Sequence, residues 1–215
     1  MNTPTPNRID KLNQLTTPLL EWYSSAARDL PWRTPASETH RPDPYHVWVS
    51  EIMLQQTRVE AVKGYYARFL TAFPNIKSLA NAPQDELMKL WQGLGYYSRA
   101  NNLKRAAIEI EERFHGEFPR TYQEILSLPG IGEYTAGAIA SIALGEAVPA
   151  IDGNVYRIYT RLFEDGSDIT KAAFKKQLRS ELLQTIPPGT PGIYNQAWMD
   201  LGADICIPNG MPLCE

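Results

Sequence analysis

The chain has 215 residues, of which 43% are hydrophobic, and a formal net charge of −3. This length and composition suit one large or two small globular domains with a sizeable core. The weakly acidic balance argues against a protein that binds nucleic acid through bulk positive charge, although backbone N–H groups and a few basic side chains can still form a local phosphate site.

Two further features of the sequence, its lack of targeting segments and its cysteines, indicate the class of protein. No run of 18 apolar residues occurs and the N-terminus lacks a signal-peptide core, so we expect a cytoplasmic protein. The two cysteines, Cys206 and Cys214, lie close to the C-terminus. Neither their number nor their placement indicates a disulfide framework.

The N-terminal third alternates between polar stretches and helical patterns. Residues 1–8 are polar and proline-rich, which predicts disorder, and Thr17 followed by Pro18 predicts the start of a helix. That helix is expected to end at residues 28–33, and residues 34–44 are typical of a loop. From Tyr45 to Pro74 the pattern is continuously helical.

The rest of the chain continues the helical periodicity. Pro83 opens a helix that the glycines at 93–95 close, and residues 100–114 form a long amphipathic pattern. Thr121 and Glu124 have the spacing of a capping box. Helical spacing returns at 155–162, 174–182 and 194–205, and no stretch has the alternation of a strand. The sequence therefore predicts an all-α protein.

The stretch from residue 128 to residue 154 is the most informative part of the chain. Gly130 and Gly132 flank Ile131 just before a helix rich in small residues. The glycines permit a sharp turn with positive φ, and the N–H groups of the turn and the helix N-terminus can bind a phosphate. The alternative interpretation is a helix stop followed by a tight turn without function.

A second candidate site lies on the helix that begins near Tyr45. Glu51 is a single carboxylate among apolar residues, and Gln55, Gln56 and Thr57 follow it. Uncharged hydrogen-bonding side chains in a row suit base edges and the sugar-phosphate backbone. The alternative is an exposed acid on an ordinary amphipathic helix.

These motifs resemble the helix-hairpin-helix superfamily of DNA base-excision glycosylases, and within it the MutY-type adenine glycosylases. The resemblance extends from about Leu19 to Cys206, in the order of the family. It is carried by the runs Leu-Pro-Trp at 30–32, Trp-Val-Ser-Glu at 48–51, Gly-Leu-Gly-Tyr-Tyr-Ser-Arg at 93–99, Asn-Gln-Ala at 195–197 and Asp-Leu-Gly-Ala at 200–203.

The resemblance implies two helical lobes with the active site in the cleft between them. Residues 45–149 would form a six-helix barrel lobe, with the helix-hairpin-helix at about 121–145. Residues 1–44 would pack with a C-terminal helical lobe formed by residues 150–215, which ends in an incomplete iron–sulfur loop.

The resemblance also implies roles for individual residues. The implied catalytic residues are Glu51, Asp152, Tyr134 and Asn154. The adenine pocket would be lined by Arg28, Leu30, Trp32 and Gln196, with Arg28 and Asn154 supporting the catalytic acids. DNA would be bound by Gln55, Gln56, Tyr96, Gly130, Ile131 and Gly132. Structural alternatives remain open: Leu30 and Trp32 suit a core, Tyr96 suits packing, and Asn154 suits a helix cap.

The two acids suit different steps of adenine removal. Glu51, in an apolar helix, would donate a proton to the leaving base, and ionised Asp152 would stabilise the oxocarbenium-like sugar. Bifunctional relatives carry a lysine nucleophile where this chain has Tyr134. A phenol cannot form a Schiff base, so we expect a monofunctional enzyme in which Tyr134 hydrogen-bonds near Asp152.

The chain departs from the family pattern at its C-terminus. A [4Fe–4S] cluster needs four cysteine thiolates, and only Cys206 and Cys214 are present. We interpret the sequence as truncated within the iron–sulfur loop, so the cluster is expected in an intact parent protein and not in this chain. The alternative is two ordinary thiols. A Nudix-like domain, which in the family recognises 8-oxoguanine, has no counterpart here.

The resulting expectation is a bacterial, nucleoid-associated, monomeric enzyme that excises adenine mispaired with 8-oxoguanine or guanine in duplex DNA. The resemblance further implies a monovalent cation at the hairpin. Two alternatives stay open: a related glycosylase for thymine mismatches or oxidised pyrimidines, and a DNA-binding module without catalysis.

Overall fold

The computed structural model describes residues 7–33, 41–209 and 213. In this part of the chain the structure is helical, without a strand, which confirms the predicted all-α class. Short π-helical segments, Ala140–Leu144 and Leu201–Ile205, continue α8 and α11. The α-helices are α1 (Arg8–Ala26), α2 (Pro44–Leu54), α3 (Val59–Ala72), α4 (Ile76–Ala80), α5 (Gln84–Trp91), α6 (Ser98–Phe114), α7 (Tyr122–Leu126), α8 (Glu133–Ile139), α9 (Gly153–Leu162), α10 (Ala172–Leu183) and α11 (Pro191–Asp200).

Two groups of buried apolar side chains organise these helices. The first apolar cluster is built mainly from α2 to α8, and it includes Trp48, Phe69 and Trp91. The second apolar cluster joins α1 to α9, α10 and α11, and it includes Leu12 and Trp198. Because α1 packs beside helices more than 100 residues further along the chain, the N-terminus and the C-terminal half share one core.

The start of α1 differs from the sequence prediction. The helix begins at Arg8, where Asn7 caps it by accepting a hydrogen bond from the Asp10 N–H at 2.9 Å. Pro18 therefore lies inside the helix and not at its first turn. Burial of Leu12 in the second apolar cluster stabilises the earlier turns and outweighs the backbone bond that proline cannot make. Residues 1–6 of the predicted disordered stretch lie outside the described residues.

The predicted continuous helix from Tyr45 to Pro74 is also wrong. The chain leaves the helical conformation after Leu54, and Gln56 takes a left-handed backbone conformation with φ of +56°. Arg58 then precedes α3. The apolar periodicity of both helices is regular, so it did not reveal the break. The consequence is a short exposed loop between the helix that carries Glu51 and the next one.

The predicted helix boundaries after Pro83 agree with the structure within a few residues, and the largest difference is at α11, which begins at Pro191 and not at Tyr194. Thr121 and Glu124 form the capping box, in which each side chain bonds the backbone N–H of the other residue. No helix of the described residues is long and apolar enough to span a membrane. The predicted loop at 34–44 is described only from Arg41 onward.

Candidate active site

A cavity of about 220 Å³ opens where the two halves of the chain meet. Its wall combines side chains of α2 and α8 with those of α9 and α11. All of the residues that the sequence suggested for catalysis or for the base pocket contribute to this wall. They are Glu51, Tyr134, Asp152, Asn154, Arg28, Leu30, Trp32 and Gln196.

Glu51 lies on the cavity wall in a largely apolar setting. Asp43 and Pro44 begin α2, and the helix then buries almost every residue up to Met53. The Tyr134 hydroxyl donates a hydrogen bond to Glu51 Oε2 at 2.8 Å. Burial raises the pKa of Glu51 to about 7, against the opposing effects of the Tyr134 hydrogen bond and the charge of Arg33. Glu51 can therefore hold and release a proton near neutral pH.

Asp152 has a more polar environment than Glu51. Its Oδ1 caps α9 by accepting the Val155 N–H at 2.9 Å, and its Oδ2 accepts from the Asn154 amide at 2.8 Å. Burial raises the pKa of Asp152, whereas these hydrogen bonds and the charge of Arg157 favour its ionised form. The cap of α9 is therefore Asp152 and not Asn154, and the Asn154 amide contacts the Asp152 carboxylate directly.

The orientation of the Asn154 amide is fixed from the opposite side. Arg157 Nη2 donates to Asn154 Oδ1 at 2.7 Å and to the Gly202 carbonyl at 2.6 Å. Because the carbonyl end of the amide faces this cation, the NH₂ end faces Asp152. Sequence reasoning missed Arg157, although its position one turn after Asn154 on a helix could have indicated the contact.

Arg28 contacts a different carboxylate from the one expected. Its guanidinium donates to the fully buried Asp200, with Nε at 2.8 Å and Nη2 at 2.5 Å from Oδ1, and not to Glu51 or Asp152. Arg33, which sequence reasoning did not select, binds the same carboxylate through both Nη atoms. Arg28 and Arg33 carry two positive charges against the single negative charge of Asp200, so net positive charge remains beside the cavity. The charge of Arg33 acts to lower the pKa of Glu51.

Leu30, Trp32 and Gln196 form the apolar and amide parts of the cavity wall. Leu30 and Trp32 also belong to the first apolar cluster, so the core interpretation and the pocket position both hold for them. Gln196 is 8% exposed, and its amide donates to the Gly192 carbonyl at 3.1 Å. The side chain of the preceding residue, Asn195, donates a hydrogen bond to the Val148 carbonyl and accepts one from the Ala150 N–H. It thereby holds the backbone segment that precedes Asp152.

The hairpin between α7 and α8 differs in detail from the sequence expectation. Gly130 has a φ of +75°, but Gly132 has an ordinary φ of −98°. Ile131 buries its side chain in the first apolar cluster and donates its N–H to the Leu128 carbonyl at 3.2 Å. Gly130 and Gly132 are exposed, whereas the amide of Ile131 is used inside the hairpin.

The side chains of Gln55, Gln56 and Tyr96 lie outside the cavity, whereas Thr57 is part of its wall. Gln55 is half-buried and donates to the Thr135 hydroxyl at 3.3 Å. Gln56 is exposed in the loop after α2, and the Tyr96 side chain is 62% exposed in the loop before α6. Both have positive φ, which is uncommon for residues with side chains.

The cysteines do not by themselves provide a cluster site. Cys206 is buried and forms no disulfide with another described residue, and Arg161 Nη1 lies 3.2 Å from its sulfur. Cys214 lies outside the described residues. Two thiolates are half of the set that a [4Fe–4S] cluster takes, so the residues present do not fit the complete group. Among the described residues no cluster of three or more His, Cys, Asp or Glu side chains suits a metal ion.

Comparison with known proteins gives concordant matches. The model of the HhH-GPD superfamily of base excision DNA repair proteins matches residues 49–184. Proteins named adenine DNA glycosylase from Mus musculus and Homo sapiens are each 45% identical over 92% of this chain. The chain spans only 39% and 36% of the length of these two relatives. A solved thermostable thymine-DNA glycosylase superposes with a TM-score of 0.84 at 28% identity, over 97% of this chain and 93% of that one.

Proposed function

Because the chain belongs to the HhH-GPD superfamily of base excision DNA repair proteins, we propose that it hydrolyses the N-glycosidic bond of adenine mispaired with 8-oxoguanine or guanine in duplex DNA. The similarity to proteins named adenine DNA glycosylase supports adenine as the base that is released. The reaction is hydrolysis without strand cleavage.

The observation that carries this proposal is the pair of unlike carboxyl groups on one cavity wall. Adenine is a poor leaving group, so its departure needs protonation of a ring nitrogen. Glu51, with its pKa raised to about 7 by burial, is the proton donor. Asp152 accepts hydrogen bonds from the Val155 N–H and the Asn154 amide, and these contacts and the charge of Arg157 oppose the effect of burial on its pKa. Asp152 is the ionised group that stabilises positive charge on the sugar.

Tyr134 and Asn154 orient these two acids. Tyr134 donates to Glu51, and Asn154 donates to Asp152, so each carboxyl group has one neutral side chain that fixes its direction. Tyr134 is half-buried, and the removal of its phenol from water raises its pKa well above the ordinary value. A neutral phenol supplies no amine for a Schiff base, which supports monofunctional chemistry.

The base and the DNA backbone are assigned to separate parts of the surface. Leu30, Trp32 and Gln196 form the adenine pocket, with Arg28 and Arg33 behind it. Gly130 and Gly132 expose the hairpin backbone to a phosphate, with a monovalent cation as a second element of that site. Gln56 and Tyr96 enter the base stack.

Single-turnover release of adenine from a duplex that contains adenine opposite 8-oxoguanine tests the proposal. The unmodified protein releases adenine, and Glu51→Gln, which keeps the shape but cannot donate a proton to the base, is slower by about 10²-fold or more. DNA binding of the variant persists. Strand breaks appear only after alkali or heat, and borohydride traps no covalent complex.

Thymine excision is the second candidate, because a thymine-DNA glycosylase shares the fold at 28% identity over nearly the whole chain. The same assay with a thymine opposite guanine separates the two. Release of thymine without release of adenine would overturn the adenine assignment. Binding of either duplex without release of any base would instead indicate a non-catalytic module.

A further inference from the structure

Two exposed residues have backbone conformations that need external support. Gln56 has a φ of +56° and Tyr96 a φ of +46°. For residues with side chains this left-handed region costs free energy, so such residues persist only where neighbouring groups hold them. The two lie in different loops, one after α2 and the other before α6. Contacts with other residues must therefore hold both loops in these conformations.

Arg99, in the first turn of α6, contacts both loops at once. The residue is only 8% exposed. Its Nη1 donates to three carbonyls at the end of α2 and in the loop that follows, and its Nη2 donates to that loop and to the loop before α6. The acceptors are Ile52 O at 2.9 Å, Met53 O at 3.0 Å, Gln55 O at 2.6 Å, Thr57 Oγ1 at 3.2 Å, Leu94 O at 3.0 Å and Gly95 O at 3.2 Å.

The chemistry of these contacts is specific to arginine. In the described part of the protein the guanidinium bonds only uncharged oxygens, so its role there is to order backbone and not to neutralise an acid. It also lies 5.5 Å from the ring centre of Trp91 and 5.6 Å from that of Tyr96. A planar group can donate from two nitrogens in fixed directions while it stacks on aromatic rings, whereas a lysine ammonium provides a single nitrogen.

We propose that Arg99 is a positioning residue that sets the loops of Gln56 and Tyr96 together, so that both side chains enter the duplex in a fixed relative position. The inference rests on the proposed function, in which these two residues enter the base stack. Three of the six acceptors are direct neighbours of the two residues: Gln55 and Thr57 lie on either side of Gln56, and Gly95 precedes Tyr96.

The role follows from the energetics of base extrusion. Moving a paired base out of the helix requires unstacking, and inserted side chains offset that cost only if they are already ordered. If the loops were flexible, ordering them on binding would reduce the net free energy of binding. Loss of Arg99 should therefore slow the excision of a stacked adenine more than that of an adenine that is already unstacked.

The first experiment compares Arg99→Lys with the unmodified protein on two duplexes. With adenine opposite 8-oxoguanine, single-turnover excision falls by about 10²-fold, the scale of a small misplacement at a site of chemistry. With adenine in a one-nucleotide bulge, the loss is only on the order of threefold, because less unstacking is needed. Arg179→Lys is the matched control, since Arg179 also stacks on a ring, that of Tyr122 at 4.8 Å, away from both loops.

A double-mutant cycle tests the coupling directly. In the unmodified background Gln56→Ala and Tyr96→Ala each slow excision of the stacked adenine. In the Arg99→Lys background each of them has at most about a twofold further effect, because residues that act through one support are not additive.

Hydrogen exchange provides a measurement that does not depend on catalysis. In Arg99→Lys the amides of residues 55–58 and 93–97 exchange faster together, whereas those of α9 to α11 do not change. Thr57→Val removes one acceptor and leaves the guanidinium in place, so it accelerates exchange at 55–58 even if Arg99→Lys does not fold.

The outcomes separate this inference from the proposed function. Two results would show that Arg99 has only a general structural role and would overturn the proposal. The first is an equal loss of excision rate on both duplexes in Arg99→Lys, and the second is faster amide hydrogen exchange in all helices of that variant. Exchange that changes in neither loop would overturn it as well. If the unmodified protein releases no adenine, the proposed function fails, but the exchange experiment still decides whether Arg99 sets the two loops.

Discussion

Glu51 and Asp152 are the same functional group in two different surroundings. Glu51 accepts one hydrogen bond from a side chain, that of Tyr134, and its pKa is about 7 because burial disfavours its charged form. Burial raises the pKa of Asp152 as well, but hydrogen bonds from a backbone N–H and an amide, together with the charge of Arg157, oppose this rise. The two carboxyl groups therefore differ in how their neighbours oppose the effect of burial.

The proton on Glu51 predicts the pH dependence of excision. The proposed active form has Glu51 protonated and Asp152 ionised, so the single-turnover rate falls by about tenfold per pH unit above pH 7 and also falls at acidic pH, where Asp152 takes up a proton. Glu51→Gln has a low rate that does not change above pH 7. A rate that rises with pH through 7 would show that the group titrating in the reaction acts as a base.

Glu51 also links stability to pH. The folded-state pKa of about 7 exceeds the ordinary value of 4.5, so between these values the folded protein holds a proton that the unfolded chain has lost. Stability therefore falls as pH rises through this window, and at pH 8 the ionised, buried carboxylate costs about 3 kcal/mol.

Thermal unfolding of Glu51→Gln measures this cost. The variant unfolds several degrees above the unmodified protein at pH 8 and shows much less difference at pH 5. Glu60→Gln, which changes an exposed acid on α3, is the control and shifts neither curve. Equal unfolding temperatures of Glu51→Gln and the unmodified protein at pH 8 would contradict the assignment of a destabilising buried acid.

At the scale of elements, small residues let α8 approach the chain that carries Asp152. A Cβ on Gly137 would lie 2.5 Å from the carbonyl oxygen of Pro149, a backbone atom that cannot rotate away. Gly192 at the start of α11 has a similar position, with a Cβ only 2.7 Å from Ile142 Cα. The close packing of these segments fixes the distance between the hairpin helix and the loop before Asp152.

We predict that Gly137→Ala destabilises the protein by about 2 kcal/mol, the usual cost of forcing an extra carbon into a packed contact. Chemical denaturation measures this change. Gly132→Ala is the matched control in the same helix-hairpin-helix, because a Cβ there meets no atom within 4 Å and its φ is ordinary. A loss of stability in the control equal to that in Gly137→Ala would mean that packing against Pro149 is not the cause.

At the scale of the whole molecule, residues 28–33 join the two apolar clusters. Leu30 and Trp32 are buried in the first cluster, while Arg28 and Arg33 reach across to Asp200 at the end of α11. Burial opposes the charge on Asp200, but the hydrogen bonds and charge of Arg33 and Arg28 lower its pKa overall. One short segment thus connects the cavity wall to the helix that carries Gln196.

Removing the charge of Asp200 tests this connection. Asp200→Asn leaves two arginines without their anion, and breaking a buried ion pair in this way costs about 3 kcal/mol or more. Urea denaturation measures the loss. Asp204→Asn alters an exposed acid four residues later and serves as the control. Asp200→Asn with unchanged stability would show that residues 28–33 are held by their apolar side chains alone.

The resemblance named eight residues of the cavity wall, and the sequence alone predicted the helical class and several helix ends. Local signals carry this information: the capping box at Thr121 and Glu124, for example, depends on residues three apart, and apolar periodicity acts over a few turns. The resemblance to MutY-type adenine glycosylases rests on several motifs that occur in the order of the family. It is confirmed by the adenine DNA glycosylases that match the chain.

The contacts between polar groups depend on the tertiary structure. Arg28 and Asp200 are 172 positions apart, and Tyr134 and Glu51 are 83 apart. Their pairing depends on how α2, α8 and α11 pack, which no local pattern specifies. The start of α1 and the break after Leu54 have the same origin, because burial of Leu12 and the carbonyl contacts of Arg99 outweigh local propensity at those positions.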